Sequence, residues 1–159
     1  MTNSVDPINN QVYLDLDVPF LNLLGVKLHR MSHGEGEISL AVEEKHLNTW
    51  GSVHGGVLLS LADAAMAIAA RAADPNDRSV VTIELKNTFM RATEGSIRVI
   101  GKSIHTTATM AFCEAKLIDQ HGQLCSMATG TFKYFKRSLI KDPMRSQSES
   151  SLSSKGSSD

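Results

Sequence analysis

Two cysteines are all this chain has, Cys113 and Cys125. Both fall on predicted neighbouring strands around a turn at Asp119-Gln120-His121-Gly122. A tight turn there sets Cys125 opposite about residue 116, so no cross-strand disulfide is expected. Neither cysteine has a basic neighbour in sequence to lower its pKa, which argues against a nucleophilic thiol. Free thiols suit the cytoplasm. Charge of one sign is lacking too: 16 Lys and Arg face 17 Asp and Glu, a net charge of −1. That gives no electrostatic basis for binding nucleic acid. Aromatics make up 5% and no basic stripe is interleaved with them, which argues against a single-strand stacking platform as well. The opening stretch MTNSVDPINNQVYLDLD lacks a basic region followed by an apolar one, so no secretory signal is expected. The apolar run of the central helix is shorter than the roughly 18 residues of a membrane span, and Asp63 interrupts it. The reading is one soluble, cytoplasmic domain with a sizeable core and neither nucleic-acid nor membrane partners.

What is present is patterned. Residues 1–13 read as a flexible lead-in, and from Ser138 to 159 the chain is serine-rich and expected to be disordered. Between them, Val18 to Gly25 predicts a short helix with Pro19 near its start and Gly25 at its end. Val26–Met31 and Glu35–Val42 alternate like strands around a turn at Ser32-His33-Gly34. Glu43–Val53 reads as a loop, and a long helix follows from about Gly55 to Ala73, stopped by Asp74-Pro75-Asn76-Asp77. Val80–Phe89, Ser96–His105, Thr109–Ile118 and Gln123–Phe135 read as strands. In the first of these Val81, Ile83, Leu85 and Phe89 are expected on one face, with Thr82, Glu84 and Lys86 on the other. The class is α+β: one apolar helix against one antiparallel sheet. A helix apolar all round needs more cover than one sheet face gives. Either the sheet curls around it, a partner subunit covers it, or both.

Within that helix, VLLSLADAAMAIAA carries only Ser60 and Asp63 as polar members. A buried carboxylate is costly unless partnered or put to use, and Asp63 lies too deep to be an N-cap. Upstream runs Asn48-x-x-Gly51-x-x-His54-Gly55-Gly56. The Gly55 and Gly56 amides fall in the first helical turn, where N–H groups have no internal partner and the helix dipole is positive. Such donors suit a carbonyl oxygen that becomes negative during acyl transfer. Asp63 would then activate water or attack directly. Gly55 and Asp63 are, however, eight positions apart, roughly 12 Å along one helix. One reaction centre using both must take them from two chains, so this chemistry requires a homodimer. His54 and Asp63, nine positions apart, fall on opposite helix faces, so a metal site is not expected. Ser60 lacks the Gly-x-Ser-x-Gly elbow of a serine nucleophile.

The stretch NTWGSVHGGVLLSLADAAMA, continued by TFMRA at Thr88–Ala92 and DQHGQLCSMATGTF to Phe132, resembles the hotdog-fold acyl-CoA thioesterases. Within them it is similar to the phenylacetate-pathway, PaaI-like branch, over about residues 20 to 136. The resemblance implies a hotdog domain over residues 14–137, a curled antiparallel sheet wrapped around one long central helix and assembled as dimers or dimers of dimers. It implies hydrolysis of an acyl-CoA or aryl-CoA thioester to a free acid and coenzyme A. No cofactor is expected beyond the coenzyme A of the substrate, and no metal. Asp63 matches the catalytic carboxylate and Gly55 the amide that polarises the thioester carbonyl. His54 and Asn48 match residues that fix that turn, the carbonyl or the water. Thr82 matches a Ser or Thr near the nucleophilic water. Arg91 is the candidate contact for a coenzyme A phosphate. Two positions depart from the pattern: Ala92 stands where relatives carry proline, and Thr106-Thr107 where many carry a basic pair. The rival readings are a hotdog-type enoyl-CoA hydratase or dehydratase, whose acid and histidine are ordered differently, and a non-catalytic acyl-CoA binding protein.

Overall fold

Pro19 fixes the first turn of the short helix α1, Pro19–Leu24, and Gly25 ends it in the left-handed region at φ 81°. The computed structural model that shows this describes residues 3–5, 12–14 and 17–136. Strand β1 is Asn3–Val5, β2 Val12–Leu14, β3 Lys27–Ser32 and β4 Glu35–Ala41. A 3-10 turn at Glu44–His46 precedes the long helix α2, Gly55–Ala72. Then come β5 Ser79–Phe89, β6 Ser96–Thr106, β7 Met110–Asp119 and β8 Leu124–Phe135. The segment read as a flexible lead-in thus contributes strand pairing at Asn3–Val5 and Val12–Leu14. The rest of residues 1–13 and the serine-rich stretch 138–159 lie outside the described residues.

All strands pair antiparallel in one sheet, in the order β1-β2-β3-β4-β6-β7-β8-β5. His33 and Gly34 both have positive φ, so a two-residue turn of the type that matches strand twist joins β3 to β4. The chain leaves β4 through α2 and lands at the far edge as β5, beside β8. The sheet therefore curls around α2, which touches every strand from β3 to β8. Gly36 and Gly101 pair directly across β4 and β6. A Cβ at Gly36 would lie 2.7 Å from the Ala65 carbonyl oxygen, and one at Gly101 would collide with the same carbonyl. Two bare glycines thus let the helix settle onto the strand backbones. As a helix, α2 has 18 residues and a mean hydropathy of 1.4, long and apolar enough by those measures alone to cross a membrane. The apolar run within it, Val57–Ala70, is shorter than the helix and carries Asp63. Half of it is buried against the sheet, so its apolarity serves the core.

The far end of α2 is pinned electrostatically. Tyr134 donates its hydroxyl to the Ala70 carbonyl at 2.9 Å, and the Arg78 guanidinium lies 4.4 Å from the Tyr134 ring centre. Arg78 also pairs with Asp74, at 2.8 Å through Nη2 and 3.1 Å through Nε, and the Asp74 side chain is 1% exposed. These bonds hold the Asp74 carboxyl down to about 2. A folded-state pKa below the unfolded one means that acid unfolding takes up a proton. The stabilisation is therefore complete above about pH 4 and lost as pH falls toward about 2. Asp74→Asn is expected to flatten the decline of melting temperature between those pH values, measured beside the wild type.

Three expectations change. α2 is not covered all round: Gly56 and Leu59 are exposed, and Ser60, Asp63 and Ala67 only partly buried. That leaves one open stripe at helical spacing on a single chain. In β5 the register shifts between Thr82 and Glu84. Such a bulge inserts one residue and switches faces. Thr82 therefore shares the helix side with Leu85, and Val81 and Ile83 are exposed instead of lining up with Leu85. Finally, Lys116 pairs with Met127, and Cys125 falls at an irregularity opposite Leu117 and Ile118. Cys113 pairs with Gly130, so both cysteines are free. Burial pushes the Cys113 thiol up to about 11, which keeps it protonated and unreactive.

Candidate functional site

The approach to α2 is a run of backbone constraints. Asn48 accepts from the amides of Trp50 at 2.9 Å and Ser52 at 3.2 Å through Oδ1, and Gly51 takes φ 78° at the bend. Leu47 and Val53 bridge across this loop. His54 donates its amide to the His46 carbonyl at 2.8 Å, and Val53 donates its amide to the Thr93 carbonyl at 2.9 Å. The loop is thereby tied to the segment after β5. His54 is the N-cap of α2: its Nδ1 accepts from the Gly56 amide at 2.9 Å. An accepting Nδ1 leaves the proton of the neutral ring on Nε2. Of the two amides expected at the tip, Gly56 is thus engaged by the imidazole. The Gly55 amide has no hydrogen-bond partner among the described residues. The Phe89 ring borders it, 3.4 Å from where a Gly55 Cβ would lie.

Asp63 lies two turns further along α2, on the open stripe. Thr82 donates its hydroxyl to Asp63 Oδ1 at 2.7 Å. The bulge that follows Thr82 lets β5 present it to the helix while the next apolar residue, Ile83, turns outward. Oδ2 has no partner among the described residues. Asp63 opens into a cleft of about 370 Å³ between α1, α2 and the start of β5, with mostly apolar side chains around it.

The chain matches the family model described as the thioesterase superfamily over residues 51–126. This span contains the helix tip, Asp63 and Thr82. Over this span the chain is similar to the thioesterase superfamily. A solved structure of a conserved protein from Pseudomonas aeruginosa superimposes with a TM-score of 0.71 at 28% identity, covering 74% of this chain and 94% of its own. A variant of the phenylacetic acid degradation protein PaaI from Thermus thermophilus gives a TM-score of 0.68 at 25% identity, covering 74% and 100%. Among curated relatives, the 1,4-dihydroxy-2-naphthoyl-CoA hydrolase of Escherichia coli K12 is 23% identical over 106 residues, 66% of this chain and 78% of that protein. The architecture is the hotdog fold, of the PaaI-like branch, and the protein is a thioester hydrolase.

In this thioesterase the sequence-identified residues form two groups. Asn48, His54 and Gly55 gather at the helix tip, and Asp63 joins Thr82 roughly 12 Å away along the helix axis. Arg91 belongs to the tip group through its backbone, because its segment leads to Thr93 beside Val53. Its Nη1 donates to Gln123 Oε1 at 2.6 Å. Ser60 donates its hydroxyl back to the Gly56 carbonyl at 2.7 Å, so it has no base to activate it. The residue missed in sequence is His46. It is fully buried, its Nδ1 accepts from the Glu43 amide at 2.9 Å, and its carbonyl holds His54. The signal was the reciprocal Glu43/His46 capping pair at N-cap and third helical position.

Proposed function

We propose that this thioesterase hydrolyses acyl-CoA or aryl-CoA thioesters in the cytoplasm, at two equivalent sites shared between the subunits of a homodimer that can pair again as a dimer of dimers. The observation that carries the reading is the separation on one helix of an unpartnered tip amide and a hydroxyl-bonded carboxylate. Neither completes a reaction centre alone, and the stripe bearing Asp63 is open in the single chain. Two antiparallel copies of α2 across a two-fold axis bring each tip to the other chain's carboxylate.

The Gly55 amide then receives the thioester oxygen and stabilises its charge as the carbonyl carbon becomes tetrahedral. His54 keeps that amide in place by capping the next one, and Asn48 fixes the loop that delivers it. Thr82 orients Asp63. Asp63 takes the proton of an attacking water, or attacks the carbonyl carbon itself to form an anhydride that water opens. In either course the carbon–sulfur bond breaks and the coenzyme A thiolate leaves, to be protonated. In this reading Arg91, at the tip end, meets a phosphate of coenzyme A.

The test is a panel of short, medium and aryl acyl-CoAs assayed for free thiol, with enoyl-CoA hydration followed on the same preparation. Thiol release without hydration is expected. Hydration with the thioester left intact would assign the site to the hydratases, and tight binding without turnover would make it a binding protein.

A further inference from the structure

Asp63, Ala67 and Arg71 follow one another at four-residue intervals on α2, along one face. That face floors the cleft of about 370 Å³, and all three residues line it. Asp63 and Arg71 stand ~12 Å apart along the axis. The space between is apolar: Ala64 and Ala67 keep the floor low, and Phe20, Leu21 and Val80 are among its walls. At its far end Arg71 is conspicuously unmatched. Its Nε is buried with no hydrogen-bond partner, and its guanidinium enters no ion pair among the described residues.

A cation in the last turn favours the helix dipole, which accounts for a positive charge at this position. It does not account for a guanidinium that lines an apolar cleft with its Nε shut away from water. A charged donor left unpaired in such a place is costly, and an anion offered to it recovers that cost. Arg71 shares that cleft with Ala67 and Asp63, one and two helical steps back along the same face.

We infer that Arg71 binds a carboxylate at the remote end of the acyl group, so that the preferred substrates are coenzyme A monothioesters of medium-length dicarboxylic acids. This rests on the thioesterase reading above and names its substrate class. The acyl chain lies over Ala67, one end presented to Asp63 and the other held by the guanidinium. The separation suits a chain of about six to eight carbons. Arg71 takes no part in bond breaking. It determines specificity.

Adipoyl-CoA and hexanoyl-CoA have the same chain length and differ only in the remote carboxylate, so their kcat/KM ratio measures the contact. Suberoyl-CoA against octanoyl-CoA repeats the comparison at eight carbons. The wild type is expected to favour the diacid thioester by about 10- to 100-fold, the range of a charge-assisted hydrogen bond. Arg71→Met is expected to bring the ratio near one, chiefly through KM, with Arg71→Lys in between. Should Arg71→Met fail to fold, Arg71→Gln takes its place, and the wild-type ratio stands as a test by itself. Thiol release from the monoacid thioesters at least as fast as from the diacid ones overturns the inference and leaves the thioesterase reading intact. A wild-type diacid preference that survives loss of the guanidinium overturns the role of Arg71. No thiol release from any thioester overturns both.

Discussion

Asp63→Asn is expected to lower kcat for thiol release by about 10²- to 10⁴-fold, the range lost when a general base or nucleophile is removed. That corresponds to about 3–5 kcal/mol of transition-state stabilisation. The fold should be indifferent to the change. Thr82 donates to Oδ1, and an asparagine presents a carbonyl oxygen to the same hydroxyl. Oδ2 has no protein partner to lose among the described residues, and the side chain is only partly buried, so the amide nitrogen that replaces it meets no new desolvation. The melting temperature and the oligomeric state of the variant should therefore match the wild type. An Asp63→Asn protein that keeps near wild-type kcat removes the carboxylate from the mechanism. One that loses activity together with its fold assigns Asp63 to structure instead.

The long helix, its start, its interruption by a single acid and the strands that wrap it were legible because they rest on period and punctuation. Apolar residues recur at both helix and strand spacing, and Pro19, Gly25, Gly34 and Gly122 mark the breaks. What was not legible depends on one-residue offsets or on where a side chain folds. The β5 bulge inserts a single residue, and nothing in SVVTIELKNTF announces it. Yet it decides which face carries Thr82, and so whether a hydroxyl meets Asp63. The division of labour at the helix tip was hidden in the same way. Spacing gives two free amides after His54, but the imidazole folds back onto one of them and leaves only Gly55. His46 was marked only by its capping pair with Glu43, which speaks of the turn and not of the backbone carbonyl that holds His54.

Removing the other half of the site calls for a substitution that deletes one N–H and little else, and Gly55→Pro meets that need. Gly55 is the first residue of α2, where proline is well tolerated because its missing donor has no helical partner. His54, at φ −62° and ψ 135°, already has the extended backbone that a residue before proline requires. A Cβ there lies 3.4 Å from Phe89, an ordinary contact. The helix should persist while kcat falls by about 10²- to 10³-fold, as for loss of one oxyanion donor. The sharper result comes from combining the two inactive proteins. If each centre joins one chain's tip to the other's carboxylate, a chain carrying Asp63→Asn paired with one carrying Gly55→Pro has one site with both groups intact and one with neither. Random subunit exchange makes about half the dimers mixed, so about a quarter of wild-type activity should return. A centre built within one chain would regain nothing on mixing, because each chain lacks one of the two groups. Recovery of thiol release in the mixture, set against neither parent alone, therefore reads out directly whether the helix tip and the carboxylate work across the subunit boundary.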